Sequence, residues 1–376
     1  MKRIAVFTGG RSDYGHLYWV IDGIHKSKKL ELITLFPGNH PYKNELFKMG
    51  VSQMLPQIND ISDYGGVFEF IRMLMPKEVL GIDMLLVLGD RWETHAAATA
   101  ALLSGTKICH IHGGETTEGC FDDELRNSIT MMSQIHFVSH RAYEFNVARM
   151  IEECGVKIGE CGWIHCDNIF NVGAPGLDWL TKAKLYTKAE LKDKVSIDLE
   201  EPYILACFNP VTHELEHTEK YMENMCKALS KNNQQVLLIL PNIDPGNKEI
   251  KTVIREWTLN PERWQGRFDL FNKLDLFKFV ENVDHLTYLS LMKYATLMVG
   301  NSSSGIIEAA SLNLPVVDIG NRQKGRIMPD NVIHCGYSTD EILSAMDKAK
   351  NYSGKVVNPY GDGHSSEKIV KVLEEI

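Results

Sequence analysis

The sequence lacks a long apolar run and lacks a surplus of basic residues. No window approaches the ~18 consecutive apolar residues that a transmembrane helix needs. The 40 lysines and arginines are outnumbered by 49 acidic residues, which gives a net charge of −9. A nucleic-acid-binding protein needs the opposite balance to neutralise phosphates. We therefore expect neither a membrane nor a nucleic acid as partner, although a few local donors are enough to hold a small anion.

The sequence also lacks the spacing typical of disulfide frameworks and zinc sites. The first apolar stretch is too short for a signal peptide, and the eight cysteines are dispersed. These features predict reduced thiols in a cytoplasmic protein. Cys154, Cys161 and Cys166 cluster with His165, but no CxxC pair is present. We therefore expect structural thiols here, with no metal site and no cofactor.

The length and the apolar pattern indicate two folded domains. The chain has 376 residues, of which 44% are hydrophobic, and this is more than one ordinary core holds. Short continuous apolar runs alternate with helical patterns, which is typical of parallel sheets covered on both faces. The pattern restarts after Gly173-Ala174-Pro175-Gly176. We predict an α/β protein of two doubly wound Rossmann-like domains, joined near residue 175.

A glycine pair and an arginine follow the first predicted strand. In doubly wound sheets, ligands bind beyond the carboxyl ends of the strands. Gly9 and Gly10 permit a tight turn before a helix, and the Arg11 guanidinium suits a phosphate or a carboxylate. The pattern is not GxGxxG, so it does not indicate a dinucleotide site. The alternative is a turn without a ligand.

Three loops of the first half bring carboxylates to one predicted sheet edge. Asp90 follows one strand, Glu115 follows the next, and Asp122 and Asp123 open a helix that carries Arg126 one turn later. Acids beside an arginine suit proton transfer next to a bound anion. Taken singly, each acid also fits a helix cap, which is the alternative explanation.

A cluster of small polar residues joins a strand to a helix in the second half. It consists of Ser302, Ser303, Ser304 and Gly305. Hydroxyl groups and glycine at a helix start favour binding of a diphosphate. Glu308, one turn into the predicted helix, could accept from ribose hydroxyls. A serine-rich N-cap is the alternative.

Several motifs occur in a characteristic order over nearly the whole chain. They are GGRSDYG, LGDRWE, HIHGGETTEG, DDELRNSITMMSQIHF, GNSSSGIIEAAS, IGNRQKGR and NPYGDG. The set resembles the hydrolysing UDP-N-acetylglucosamine 2-epimerase family, in particular the bacterial branch that makes N-acetylmannosamine-type precursors of sialic and legionaminic acids. The resemblance implies GT-B architecture. The first domain would be 1–174, completed by a C-terminal helix within 359–376, and the nucleotide-binding domain would be 175–358.

The resemblance implies loss of the nucleotide with inversion at carbon 2 of the sugar. A carboxylate takes the carbon 2 proton while UDP leaves carbon 1, and water then adds to the resulting glycal. The products are UDP and a free manno-configured sugar. This chemistry needs cationic and backbone donors at the phosphates and acids at the sugar.

Two groups of site residues follow from the motifs and the resemblance. The predicted catalytic residues are Asp90, His112, Glu115 and Asp122, with Asp90 and Asp122 as a working pair in which the base is not assigned. The predicted substrate- and nucleotide-binding residues are Arg11, His16, Arg126, Asn209, His213, Ser302, Ser303, Ser304, Gly305, Glu308 and Arg322.

Three positions depart from the pattern of the family. His112 stands where many members carry Glu in HxEGG, and HxHGG is a variant associated with the diacetamido-sugar branch. His16 stands where several members have Lys, and Asn209 stands where His is usual. Asn cannot carry a positive charge, so cationic help to the leaving group would come from His16 or His213.

The sequence leaves other functions and several details open. A GT-B glycosyltransferase and a non-catalytic nucleotide-sugar binder are the alternatives to an epimerase. The sugar is either N-acetylglucosamine or a 2,4-diacetamido-trideoxy analogue, and the nucleotide is UDP or GDP, with UDP favoured. The expected assembly is a homodimer or a homotetramer.

Overall fold

A computed structural model describes most of the chain as two α/β units. The described residues are 1–153, 167–232, 234–241, 245–259, 277–281 and 283–376. The first unit comprises Met1–Glu115, Asp122–Lys182 and Tyr360–Ile376, and the second comprises Thr116–Phe121 and Ala183–Pro359. The cluster of Cys154, Cys161, His165 and Cys166 lies outside the described residues.

The first unit is built on a parallel sheet of seven strands. The strands are β1 (Lys2–Phe7), β2 (Leu30–Pro37), β3 (Val51–Leu55), β4 (Met84–Leu88), β5 (Lys107–Ile111), β6 (Ile135–Val138) and β7 (Ile169–Asn171). Their order is β3-β2-β1-β4-β5-β6-β7. The order reverses direction at β1, which is where doubly wound sheets bind ligands.

Helices cover both faces of this sheet. They are α1 (Arg11–Lys26), α2 (Lys43–Leu46), α3 (Tyr64–Leu74), α4 (Trp92–Leu103), α5 (Asp122–Met132), α6 (Arg141–Glu153) and α7 (Asp178–Lys182). Side chains alternate along each strand, so Val6 and Leu86 join the core that α1 covers, while Ala5 and Leu85 join the core that α4 covers. Burial on both faces explains the continuous apolar runs of the sequence.

The second unit contains a parallel sheet of six strands. They are β8 (Tyr203–Cys207), β9 (Gln235–Ile239), β10 (Phe277–Val280), β11 (Leu297–Gly300), β12 (Val316–Ile319) and β13 (Val332–Cys335), in the order β10-β9-β8-β11-β12-β13. Its described helices are α8 (Lys188–Leu191), α9 (Thr218–Ser230), α10 (Asn247–Leu259), α11 (His285–Tyr294), α12 (Glu308–Ser311) and α13 (Thr339–Lys350).

The last helix, α14 (Ser365–Glu375), belongs to the first unit. The fully buried Asp178 carboxylate accepts hydrogen bonds from the backbone N–H groups of Ser365 and Ser366, both at 2.8 Å. A carboxylate at this position satisfies the N–H groups that the first turn of a helix leaves unpaired. Ile369 and Leu373 then bury their side chains in the core beside α1. The end of the chain is thereby fixed to the sheet on which it began.

Two boundaries differ from the sequence-based ones. The first unit continues to Lys182, because the α7 carboxylate of Asp178 anchors α14. The segment Thr116–Phe121 belongs to the second unit, although both of its flanks belong to the first. Among the described helices, none combines the length and the apolar composition required to span a bilayer.

Candidate active site

Neighbouring strands of the first unit end at one edge and carry the predicted polar loops there. Leu88 pairs with Ile111 at the ends of β4 and β5, so Asp90 and His112 follow adjacent strand ends. Arg11 is the first residue of α1, directly after the β1 turn, and His16 lies one turn further on. Both side chains are partly exposed. The sheet topology therefore brings these four residues to the carboxyl edge.

A buried arginine links three loops at this edge. The Arg126 side chain is 1% exposed and donates to the carboxylates of Asp90 and Asp123. It also donates to the main-chain carbonyl of Glu115 at 3.0 Å. A buried guanidinium requires such partners, because an unpaired buried charge is very costly. Asp90 keeps 24% of its side chain exposed, so this carboxylate is fixed on one side and accessible on the other.

Arg126 binds Asp123, the neighbour of the acid selected from the sequence. Asp122 opens α5 and is partly exposed. Both acids lie in the first turn, and a separation of three or four residues from Arg126 brings either side chain onto its face. The catalytic pairing of Asp90 with Asp122 stays a prediction. Asp123, named beside Asp122 in the sequence but not selected as catalytic, is the acid that pairs with Arg126.

His112 and Glu115 form a close pair three residues apart. The ring Nδ1 of His112 lies 2.5 Å from Oε1 of Glu115, and Ser139 donates to the same oxygen at 2.6 Å. The Glu115 side chain is 1% exposed and the His112 side chain 12%. The carboxylate expected to face the sugar is therefore buried behind the histidine, because its turn folds back on β6.

A second histidine, His110, supports the loop of Asp90 from inside the sheet. It is fully buried, with Nε2 2.8 Å from the Gly89 carbonyl and Nδ1 3.1 Å from the Thr130 hydroxyl. Burial lowers the pKa of His110 to about 3, so the ring is neutral, donates to Gly89 and accepts from Thr130. His110 was not selected from the sequence. It lies within β5, whereas His112 follows the end of that strand in a left-handed backbone conformation.

Two further buried acids, Asp13 in α1 and Glu93 in α4, lie against Gly9 in the turn after β1. The Asp13 carboxylate accepts from the Gly9 N–H at 3.1 Å, and Glu93 pairs with Arg91 at 2.5 Å. A Cβ on Gly9 would lie 2.6 Å from Cγ of Glu93, so only glycine fits between these groups. Burial raises the pKa of Asp13 to about 6, the nearby Glu93 adds to the rise, and Arg91 opposes it. Neither acid was singled out from the sequence, where both resemble ordinary first-turn residues of α1 and α4.

In the second unit, Asn301 ties together the loops after three strands. Its side chain accepts from the Asn209 N–H at 2.7 Å and donates to the Asn209 carbonyl at 2.8 Å. Its own carbonyl accepts from Arg322 at 3.3 Å and from Gln323 at 2.9 Å. The predicted residues Asn209 and Arg322 are thus brought together by Asn301 and Gln323, which the sequence analysis did not select.

The serine cluster forms a tighter turn than predicted. A long helix was expected at 306–312, but the chain forms a 3-10 turn, Ser303–Gly305, followed by the four-residue α12 that starts at Glu308. Ser304 exchanges hydrogen bonds with Ser302 at 2.8 Å and with Tyr288 at 2.6 Å. Glu308 is 1% exposed. The hydroxyl groups are preserved at the predicted strand end, while the contribution of a helix dipole is smaller.

The segment 116–121 packs on loops of the second unit. The N–H of His213 donates to the Gly119 carbonyl and its ring Nδ1 to the Glu118 carbonyl, each at 3.3 Å. Phe121 N–H donates to the Thr212 hydroxyl at 3.1 Å. His213 itself is exposed. Its predicted cationic role remains a prediction.

Comparison with known sequences identifies the family. The profile of the family described as UDP-N-acetylglucosamine 2-epimerase matches residues 71–374. The chain belongs to this family. A 2-epimerase of Legionella pneumophila, described as "UDP-N,N'-diacetylbacillosamine 2-epimerase (hydrolyzing)", is 30% identical over 100% of this chain and 96% of its own length. The UDP-N-acetylglucosamine 2-epimerase of Neisseria meningitidis serogroup B is 31% identical over 93% of this chain and 88% of its own length.

A solved structure of a 2-epimerase has the same fold. The Neisseria meningitidis enzyme bound to UDP-GlcNAc superposes with a TM-score of 0.77, covering 100% of both chains at 19% identity. The predicted fold class, two α/β domains of the GT-B type, is confirmed by this likeness and by the two parallel sheets. For this member of the family, the family and the fold were both correctly predicted from the ordered motifs.

Proposed function

We propose that the protein is a hydrolysing sugar-nucleotide 2-epimerase. It converts UDP-N-acetylglucosamine, or a 2,4-diacetamido-trideoxy analogue, to UDP and a free manno-configured sugar. The observation that carries the proposal is the pairing of Asp90, partly exposed, with the buried Arg126 beside the His112–Glu115 turn. The relative in Legionella pneumophila, described as hydrolyzing and matching end to end, supports the hydrolytic type.

Asp90 is the proposed base. The carbon 2 proton is not adjacent to a carbonyl, so its removal must be coupled to departure of UDP from carbon 1. The Arg126 guanidinium stabilises negative charge on Asp90, and the ionised carboxylate is the form that accepts a proton. Asp122 is a second acid available to the same sugar, as the family resemblance implies.

The second unit is proposed to hold the nucleotide. The hydroxyls of Ser302, Ser303 and Ser304 are the donors for the phosphates, and the buried Glu308 is the acceptor for ribose hydroxyls. Arg11 supplies a guanidinium for the diphosphate. In doubly wound sheets, ligands bind at the loops beyond the carboxyl ends of the strands, and the proposed phosphate and ribose contacts come from such loops.

The structure of the sugar product indicates which kind of reaction consumes that product. A free manno-configured 2-acetamido sugar is a precursor for acidic sugars of the sialic or legionaminic type, as the resemblance implies. The relatives in Legionella pneumophila and Campylobacter jejuni, each described as an N,N'-diacetylbacillosamine 2-epimerase, are also each described as hydrolyzing. We propose the same kind of biosynthetic position for this chain.

A substrate panel tests the proposal. UDP- and GDP-linked N-acetylglucosamine and the corresponding 2,4-diacetamido-trideoxy compounds are incubated with the protein, and released nucleotide and free sugar are quantified. We expect equal amounts of nucleotide and free sugar from at least one UDP-linked donor, without any acceptor. Release of nucleotide only when an acceptor is added, with the sugar joined to that acceptor, indicates a glycosyltransferase. Binding of UDP with no release from any donor indicates a nucleotide-sugar binder.

A further inference from the structure

Glu115 is placed where it cannot serve as an acid toward a sugar. Its carboxylate is 1% exposed and accepts hydrogen bonds from His112 and Ser139 through the same oxygen, at 2.5 and 2.6 Å. Its carbonyl is occupied by Arg126 at 3.0 Å. The His112 ring that contacts this carboxylate is 12% exposed.

The backbone of the turn is shaped to hold this pair. His112 adopts φ +68°, a left-handed conformation that among the described non-glycine residues is shared only by Asn313. A Cβ on Gly114 would lie 2.5 Å from the Tyr143 carbonyl, so the turn requires glycine there. Such conformations persist only where the surrounding structure fixes them, and they cluster at functional sites. The turn returns Glu115 to the ring of His112.

The pair fixes which ring nitrogen can exchange a proton. A carboxylate beside Nδ1 accepts the proton of that nitrogen in a hydrogen bond and so fixes the orientation of the ring. Among the residues that the structure describes, Nε2 of His112 has no hydrogen-bond partner. Nε2 is therefore the nitrogen available to a bound sugar.

We propose that His112 is a catalytic acid, which delivers a proton from Nε2 to carbon 2 of the glycal, and that Glu115 is its positioning residue. This inference rests on the proposed epimerase function. Asp90 is held as an anion by Arg126 and is suited to take a proton, whereas the second step needs a group that gives one. His112 is the neighbouring group with that capacity, on the adjacent strand end.

The two steps balance as follows. In elimination, Asp90 takes the carbon 2 proton, the C–H electrons form the carbon 1–carbon 2 double bond, and UDP leaves with the electrons of the carbon 1–oxygen bond. In hydration, the Nε2 proton of the His112 imidazolium adds to carbon 2 and water oxygen adds to carbon 1. The proton that this water loses restores the imidazolium, and Asp90 returns its proton to solvent.

Partial reactions separate this role from that of Asp90. Wild type, His112→Gln and Glu115→Gln are given a UDP-linked substrate and, separately, the isolated glycal, and proton NMR follows UDP, glycal and free sugar. For His112→Gln we expect UDP release within a few fold of wild type, accumulation of glycal, and hydration reduced on the order of 10²–10⁴-fold. For Glu115→Gln we expect a lower kcat for hydration of the glycal, with little change in KM. His217→Gln, at an exposed histidine, is the matched control and should behave as wild type.

Two results overturn the inference. One is His112→Gln that hydrates glycal at the wild-type rate. The other is His112→Gln that binds UDP but releases none from the substrate, because this assigns His112 to elimination. Imidazole nitrogen NMR gives a readout without turnover. The Nδ1–H form should dominate for neutral His112 in wild type and decline in Glu115→Ala, and an unchanged spectrum contradicts the positioning role. If wild type itself converts no substrate, the proposed function fails, while the nitrogen spectrum still decides whether Glu115 sets the ring.

Discussion

Arg126, in helix α5, and Asp90, in the loop that follows β4, are joined side chain to side chain. The arginine is 1% exposed and the aspartate 24%. One guanidinium also binds Asp123 and the carbonyl of Glu115. A charge buried so completely is stable only with all these partners, so the position of each acid depends on Arg126.

Replacement of Arg126 by lysine should abolish turnover without abolishing nucleotide binding. Lysine carries a single ammonium and cannot reproduce the planar set of donors that reaches three acceptors. We expect Arg126→Lys to lower kcat at least about a hundredfold, since misplaced catalytic groups cost this much. UDP affinity, measured by calorimetry, should change little. Arg72→Lys, at a surface arginine paired with Glu69, is the control. If Arg126→Lys turns over substrate at the wild-type rate, Arg126 is not needed to position the acids.

Asp13 should make the protein less stable as the pH rises. The pKa of Asp13 is raised to about 6 in the folded state from 3.8, so between these values the folded state binds the extra proton. The free energy of unfolding therefore falls as pH rises from about 4 to 6. Asp13→Asn removes this loss and should be about 2–3 kcal/mol more stable than wild type at pH 7, with little difference at pH 4. Chemical unfolding at both pH values measures this, with the exposed Asp340→Asn as control. Equal curves for wild type and Asp13→Asn contradict it.

Three buried histidines act in the opposite direction. Burial lowers the pKa of His40 and His136 to about 4 and that of His110 to about 3. Below pH 6.5 these histidines bind protons in the unfolded chain but stay neutral in the folded protein. The free energy of unfolding that is present above pH 6.5 is therefore lost as the pH falls. Each ring contributes a slope of up to about 1.4 kcal/mol per pH unit. His136→Gln should reduce the slope of unfolding free energy between pH 6 and 5, and an unchanged slope is the contrary result.

Gly300 should not tolerate any side chain. Its φ is +147°, and a Cβ would lie 1.9 Å from the Cys207 carbonyl, where β11 pairs with β8. Because both atoms belong to backbone, the clash cannot be relieved by a rotamer change, and Gly300→Ala should destabilise the second unit by about 3 kcal/mol or more. Gly65→Ala is the matched control. Its Cβ meets nothing within 4 Å inside α3, and alanine there should stabilise by about 0.5–1 kcal/mol. Thermal unfolding that ranks the two variants in the reverse order refutes this account.

The buried parallel strands were the most predictable part of the fold. β4 and β8 are uninterrupted apolar runs bounded by polar turns, so their type and position follow from burial on both faces. The edge strands β3 and β13 are mostly exposed or partly buried, so they lack the long apolar run that marks a central strand. The helix α13 was also missed, although Ser338 and Glu341 form a capping box that marks its start.

The sequence predicted which segments of the chain form the candidate site, but it did not predict which side chains contact each other. The motifs placed Asp90 directly after a strand and Arg126 one turn into a helix, and the topology of parallel sheets indicates that such loops and helix starts share one edge. Arg126 pairs with Asp123 because of the direction in which each side chain leaves the first turn of α5. The sequence does not determine this direction. Asp13 and Glu93 are buried by tertiary packing around Gly9, and Asn301 is buried by three loops far apart in the chain. Only the folded arrangement gives these groups their function.

The central claim, that Asp90 removes the carbon 2 proton and water completes the reaction, is tested most directly in deuterated water. Wild type and Asp90→Asn are incubated with the active UDP-linked donor, and NMR follows UDP, the free sugar and the label at carbon 2. We expect wild type to release UDP and a manno-configured sugar with deuterium at carbon 2. Asp90→Asn should bind UDP normally and lose turnover by about 10²–10⁴-fold, because the amide cannot accept the proton. Release of sugar that retains hydrogen at carbon 2, or near wild-type turnover by Asp90→Asn, contradicts the account.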